Sequence, residues 1–301
     1  MLTVVKSTTY TSNFNITLTF IIMNLEHILN SLDTLSHSGI VITSEESMIL
    51  HNSLLILQNE NHFRNIFFWG RIYGTEKDYY ISFGYVKDAL EGRIYYYSTN
   101  CLDWGLLPLP TENAKLLTPL CVTKFRGDPS NVDEILIDKD ETTLGKVLQS
   151  SMVRRLKEED RLSATVYFIT EEAAALPRGA LFKRPDGVVV ENFSFEGLSH
   201  LDSIEIKCFL HYRTPRQKWN TNLLTRVDYN YAFDFLDTLD TDIPEGCWTI
   251  QECASGKLAV LQSLYWPGMV CYHYVDTPKH GFVYFGHGKK DLDLTFMLNP
   301  V

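Results

Sequence analysis

From residue 24 onward the apolar positions fall at helical spacing. Leu25, Ile28, Leu29, Leu32 and Leu35 occupy i, i+3, i+4, i+7 and i+10, one face of a helix that Asn24 can cap and Gly39 can end. Thr43 and Glu46 follow, three apart, the spacing at which each side chain satisfies the other's backbone N–H. Leu50, Leu54 and Leu57 carry on the stripe, so residues 23–62 read as a helical hairpin packed on something else. At residue 67 the period changes. In FFWGRIYGTEKDYYISFGY, residues 67–85, Tyr79, Ile81, Phe83 and Tyr85 alternate with Tyr80, Ser82 and Gly84, the pattern of a half-buried strand. Residues 67–73 alternate less regularly, 74–78 are a turn, and 93–98 with Tyr95, Tyr96 and Tyr97 form the next strand. Residues 63–110 are therefore an aromatic β-meander, which WGLLPLP leaves through prolines.

The middle of the chain is less regular. Residues 127–146 are polar and acidic and read as an exposed acidic loop. A helix is expected over 153–162, two turns around a short strand over 176–187, and helix again over 195–212. Residues 246–288 return to strands, with turns at Gly256 and at Pro267-Gly268. The class expected is α+β: an N-terminal helical hairpin packed on largely antiparallel β-meander sheets, followed by C-terminal all-β hairpins. No fixed-period repeat, heptad pattern or low-complexity tract interrupts it.

Composition narrows the partners. The 301 residues are 45% hydrophobic, enough for the core of one large domain. The net charge of −10 disfavours nucleic acid and anionic membranes, which need clustered Lys and Arg. The apolar run 16–23, broken by Thr17 and Thr19, is too short to span a bilayer. Residues 1–22 read as a flexible N-terminal extension, with the domain starting at Met23. The six cysteines stand without close pairs and read as reduced thiols.

Gly286-His287-Gly288-Lys289-Lys290 lacks both the spacing and the Ser/Thr of a phosphate-binding loop, and reads as a strand ending in a glycine turn. Cys271 and His273 share a strand face and with Cys247 and Cys253 could make four zinc ligands, but the close Cys pairs of a zinc knuckle are missing. His273, His280 and His287 recur at seven, a spacing that flips the face of a strand. No GxSxG, HExxH or Cys–His context occurs. No catalytic, cofactor-binding or metal residue is therefore assigned. The aromatic meander remains. Core packing accounts for much of it, while Trp69, Tyr73, Tyr79, Tyr80 and Trp104 are expected to form a partner interface, because such rings pair a large apolar area with a polar tip.

Further blocks carry a resemblance. FFWGRIYGTEKDYYISFGY with YSTNCLDWGLLP, then KFRGDPS, KEEDRL, LPRGALFK, FEGLS, DFLDTLDTDIPEGCW, SLYWPG and GFVYFGHGKKDLDLTFML stand in order over about residues 23–298. Together they resemble the radial spoke head family of the motile-cilium axoneme, its protein 9 branch in particular. The first 22 residues find no counterpart, and Thr295 stands where a proline is expected. The resemblance implies a non-enzymatic structural subunit of the spoke head. It would bind the larger paralogous head proteins, meet central pair projections and take part in regulating dynein-driven beating. Two rival classes are a cytosolic ligand-binding β-rich module and an enzyme without a recognisable motif.

Overall fold

The computed structural model describes Leu35, Gly39 and residues 41–143, 146–216, 227–253 and 256–297, without the side chains of 137–152. The first expected helix lies outside this set except for Leu35, which is fully buried. Helix α1 spans Ser44–Asn61 and carries the reciprocal cap: Glu46 N donates to Thr43 Oγ1 (3.2 Å), and Thr43 N donates to Glu46 Oε2 (3.0 Å). Leu50, Leu54 and Leu57 are its buried face.

The sheet is α+β in arrangement, as the pattern predicts. Strands β1 (Asn65–Ile72), β2 (Tyr79–Tyr85), β3 (Ile94–Ser98) and β4 (Gly105–Leu106) form an antiparallel meander. Near the C-terminus, β11 (Trp248–Cys253), β12 (Leu258–Ser263), β13 (Met269–Tyr274) and β14 (His280–Gly286) form a second one. A single parallel pairing of β1 with β14 fuses them into eight strands ordered β11-β12-β13-β14-β1-β2-β3-β4. At the seam Gly70 adopts φ +147°, and a Cβ there would stand 2.1 Å from the Tyr284 carbonyl oxygen, so only glycine admits the close approach. A bulge between Phe68 and Gly70 shifts the phase of β1, which puts Trp69 and Ile72 on one face.

Both faces are covered. Strand β2 is buried at all seven positions, not half-buried as its alternation suggested. Its small residues face α1, where a Cβ on Gly84 would meet the Phe63 ring at 2.6 Å. Tyr79, Ile81, Phe83 and Tyr85 point to the opposite core, under helix α3 (Glu158–Ala173). That helix is buried around most of its circumference, so it shows no single apolar stripe, and it replaces the helix expected over 153–162.

Two other expectations are corrected. The presumed acidic loop at 127–146 contains β5 (Val132–Thr143), which pairs along its whole length with β6 (Lys146–Lys157). At the root of this hairpin Ile135 and Leu156 pack with Ala114 and Leu117 of helix α2 (Glu112–Leu117) and Ala164 of α3. The helix expected over 195–212 is mostly other structure: a one-turn α4 (His200–Ser203), a 3-10 turn and strand β10 (Phe209–His211). Strand β10 pairs with β7 (Ala175–Pro177), and tertiary pairing overrides the local preference there. The remaining pair is β8 (Leu181–Lys183) with β9 (Val189–Glu191), and a short α5 (Leu294–Met297) ends the described chain.

Candidate functional site

The five aromatic residues singled out above separate into two groups. Trp69 and Tyr79 have no exposed surface; Trp69 Nε1 donates to Thr170 Oγ1 (2.9 Å) and the Tyr79 hydroxyl to Glu158 Oε1 (2.8 Å), both on α3. Tyr80 is also buried, its hydroxyl donating to Glu46 Oε1 (2.7 Å) on α1. These three link the sheet to the helices on either face, so they offer a partner no surface in this fold. Tyr73 and Trp104 are half-buried. Tyr73 stands beside His287 and Arg71, and Trp104 donates to Ser53 Oγ (3.1 Å). Next to Trp104, Leu106 and Leu109 are exposed.

The charged motif residues serve contacts within the chain. Glu158 opens α3 with no exposed surface, and its carboxylate accepts from Tyr79, from Arg126 N (2.9 Å) and Gly127 N (2.7 Å), and from Asn131 Nδ2 (3.1 Å). The KFRGDPS loop is thereby folded over the helix start, where a negative charge is also favoured by the helix dipole. Arg161 pairs with Asp133 at 2.7 Å and covers the Phe125 ring. In LPRGALFK, Arg178 grips Asp234 with two parallel bonds, Nε to Oδ1 (2.5 Å) and Nη2 to Oδ2 (2.7 Å), holding the DFLD segment. Glu172 near the end of α3 accepts from Trp266 Nε1 (2.9 Å) and Lys290 Nζ (2.7 Å). The lysines of the glycine turn are thus anchors, Lys289 Nζ donating to the Val122 carbonyl (2.6 Å).

The four residues that could have made a zinc site are not brought together. Cys247 and Cys271 lie in the core on the α3 side of the sheet, Cys253 on the α1 side. Burial pushes the Cys271 thiol up to about 12 and that of Cys247 to about 11, which disfavours the thiolate a metal requires. His273 and His280 are cross-strand neighbours. His273 Nε2 accepts from Leu198 N (2.9 Å) while its Nδ1 faces the Lys279 carbonyl (3.2 Å), the pattern of a neutral ring, and burial lowers its pKa to about 4.

What the sequence reading missed is an open aromatic cleft of about 300 Å3 on the α3 side. Phe67, Phe83 and Phe282 stack along one wall, and Glu191 and Phe193 stand at another. Its lining comes from segments as far apart in the chain as Phe67 and Phe282, and no local motif marks it.

The family described as Radial spokehead-like protein matches residues 9–94, beginning inside the stretch read as an extension. The radial spoke head protein 9 homologs of Bos taurus and Homo sapiens are each 38% identical over 276 residues, and that of Danio rerio 37% over 277. In all three cases the match covers 92% of this chain and the whole of the relative. The chain therefore belongs to the radial spoke head protein 9 family.

Proposed function

We propose that this protein is a non-enzymatic structural subunit of the radial spoke head in the axoneme of motile cilia or flagella. The observation that carries the reading is the end-to-end match to relatives bearing that name. The geometry supports it: Glu158, Arg161 and Glu172 on α3, the last with Lys290, tie loops to that helix, and Arg178 ties down the segment at Asp234, instead of converging on an open reaction centre. In this role the chain assembles with the larger head proteins and meets the central pair projections, so that spoke contact regulates dynein-driven beating. With Trp69, Tyr79 and Tyr80 held in the core, the contact surface for the other head proteins is drawn from the sheet rim, Tyr73 and Trp104 with the exposed Leu106 and Leu109 beside them.

The test is to tag the chain in cells with motile cilia. A spoke head subunit gives signal along the axoneme and co-purifies with spoke proteins. Diffuse signal, with the chain recovered alone, would overturn the assignment and bring forward the ligand-binding reading.

A further inference from the structure

The aromatic cleft has one acidic side chain at its wall, and the surroundings of that acid define what can enter. Glu191 ends β9, where burial raises its pKa and neutral donors act against that rise: Asn65 Nδ2 donates to its Oε2 (2.7 Å), and the Tyr85 hydroxyl bonds it too. Arg64 acts on it only through space, and its guanidinium lies over the Phe193 ring, 5.3 Å from the centroid. Opposite, Phe67 and Phe83 stack at 5.1 Å and Phe83 and Phe282 at 5.9 Å, and Tyr212 meets Phe282 edge-on at 5.8 Å. Ring faces attract cations, and rings of this group already do so: the Arg93 guanidinium sits 4.4 Å from the Tyr212 centroid. The one Lys or Arg in the lining is Lys279, at an exposed position where water weakens its charge without cancelling it.

Three kinds of occupant can be compared on this geometry. An anion would meet the Glu191 carboxylate. A purely apolar group would strip water from that carboxylate and return nothing for it. A cation on a short apolar stem satisfies both walls, its stem against the phenyl rings and its charge against the acid. The volume of about 300 Å3 suits one such group and little more. We propose that this cleft is a binding site for an organic cation, a guanidinium or ammonium on an apolar stem, with Glu191 as counter-ion and the half-buried Phe67 as the ring it meets, backed by the buried Phe83 and Phe282. The chemistry is shared by a free small molecule and by an arginine or lysine side chain of a partner protein. It does not depend on where the chain resides in the cell, so its failure would leave the spoke head assignment standing.

The experiment is a ligand-observed NMR titration of the full chain with butylguanidinium and with butylurea, its neutral counterpart of the same shape. The cation is expected to bind at least about tenfold more tightly. Glu191→Gln keeps an acceptor for Asn65 and Tyr85 and should bring the two probes within about twofold of each other. Lys279→Glu, at an exposed position that leaves the fold intact, should tighten the cation and leave butylurea unchanged, and so covers the case in which the first variant does not fold. Equal binding of the two probes, or no binding of either at about 10 mM, would overturn the proposal. A pentapeptide with a central arginine then separates the sources. Tighter binding than butylguanidinium assigns the site to a protein side chain, weaker binding to a free small cation.

Discussion

Glu158 and His273 are polar side chains with no exposed surface, and each is kept by what closes on it. Four donors from three segments point at the Glu158 carboxylate, so cutting it back to alanine leaves Tyr79, two backbone N–H groups and Asn131 unpaired inside the protein. Glu158→Ala should cost about 3 kcal/mol or more, whereas Tyr79→Phe, which removes one donor and leaves the rest satisfied, should cost about 1 kcal/mol. Urea unfolding of both variants measures the difference, and equal losses would show that the hydroxyl alone matters. For His273 the sign follows from its lowered pKa. The unfolded chain takes up a proton near pH 6.5, while the folded ring resists until about pH 4, so stability falls as pH drops through that window and levels off below it. The loss amounts to roughly 3 kcal/mol. Against the wild type, His273→Gln should flatten the urea midpoint between pH 6.5 and 4; an unchanged profile would mean that the ring does not drive it. At this scale the sequence shows pairings between near neighbours, such as Thr43 with Glu46. It does not show that Trp69 and Tyr79 turn inward, because that depends on α3 lying across them, some eighty or more residues further on.

Strand β2 and the β5–β6 hairpin show which elements can be recognised from pattern. The period-2 alternation of β2 is plain, but two of its three residues on the α1 side, Ser82 and Gly84, are small, and such residues look the same whether they face water or fit beneath a helix. The acidic segment VDEILIDKDETT reads as a loop because a strand is expected to bury one face. A two-stranded ribbon pairing with no other sheet needs apolar burial only where it joins the body, here at Ile135 and Leu156. Its length is then set by backbone pairing, which leaves no hydrophobic period to detect. Replacing residues 138–151 by Asn-Gly, the turn suited to a tight hairpin, should therefore change stability by no more than about 1 kcal/mol. Ile135→Ala at the root should cost about 2–4 kcal/mol. Calorimetry on the two variants checks the ordering, and a large loss on shortening would mean that the distal strands help to hold the body together.

Across the whole molecule, one parallel pairing joins the two antiparallel meanders, and helices close both faces of the resulting sheet. This buries three of the five aromatic residues that first suggested an interface, Trp69, Tyr79 and Tyr80. The chain does carry charge, with 37 acidic against 27 basic residues over the full sequence. For the proposed contact with central pair projections this matters, since a surface that engages and releases in every beat is better served by screened attraction than by buried apolar area, which dissociates slowly. Salt then becomes the discriminating variable. At about 0.01 M ionic strength charges act over about 30 Å, and at 1 M over about 3 Å. Binding of reconstituted spoke heads to isolated central pairs should weaken steadily across that range, mainly through a slower association rate. If affinity holds or rises with salt, the contact is apolar, and the exposed Leu106 and Leu109 beside Trp104 become the first place to look for it.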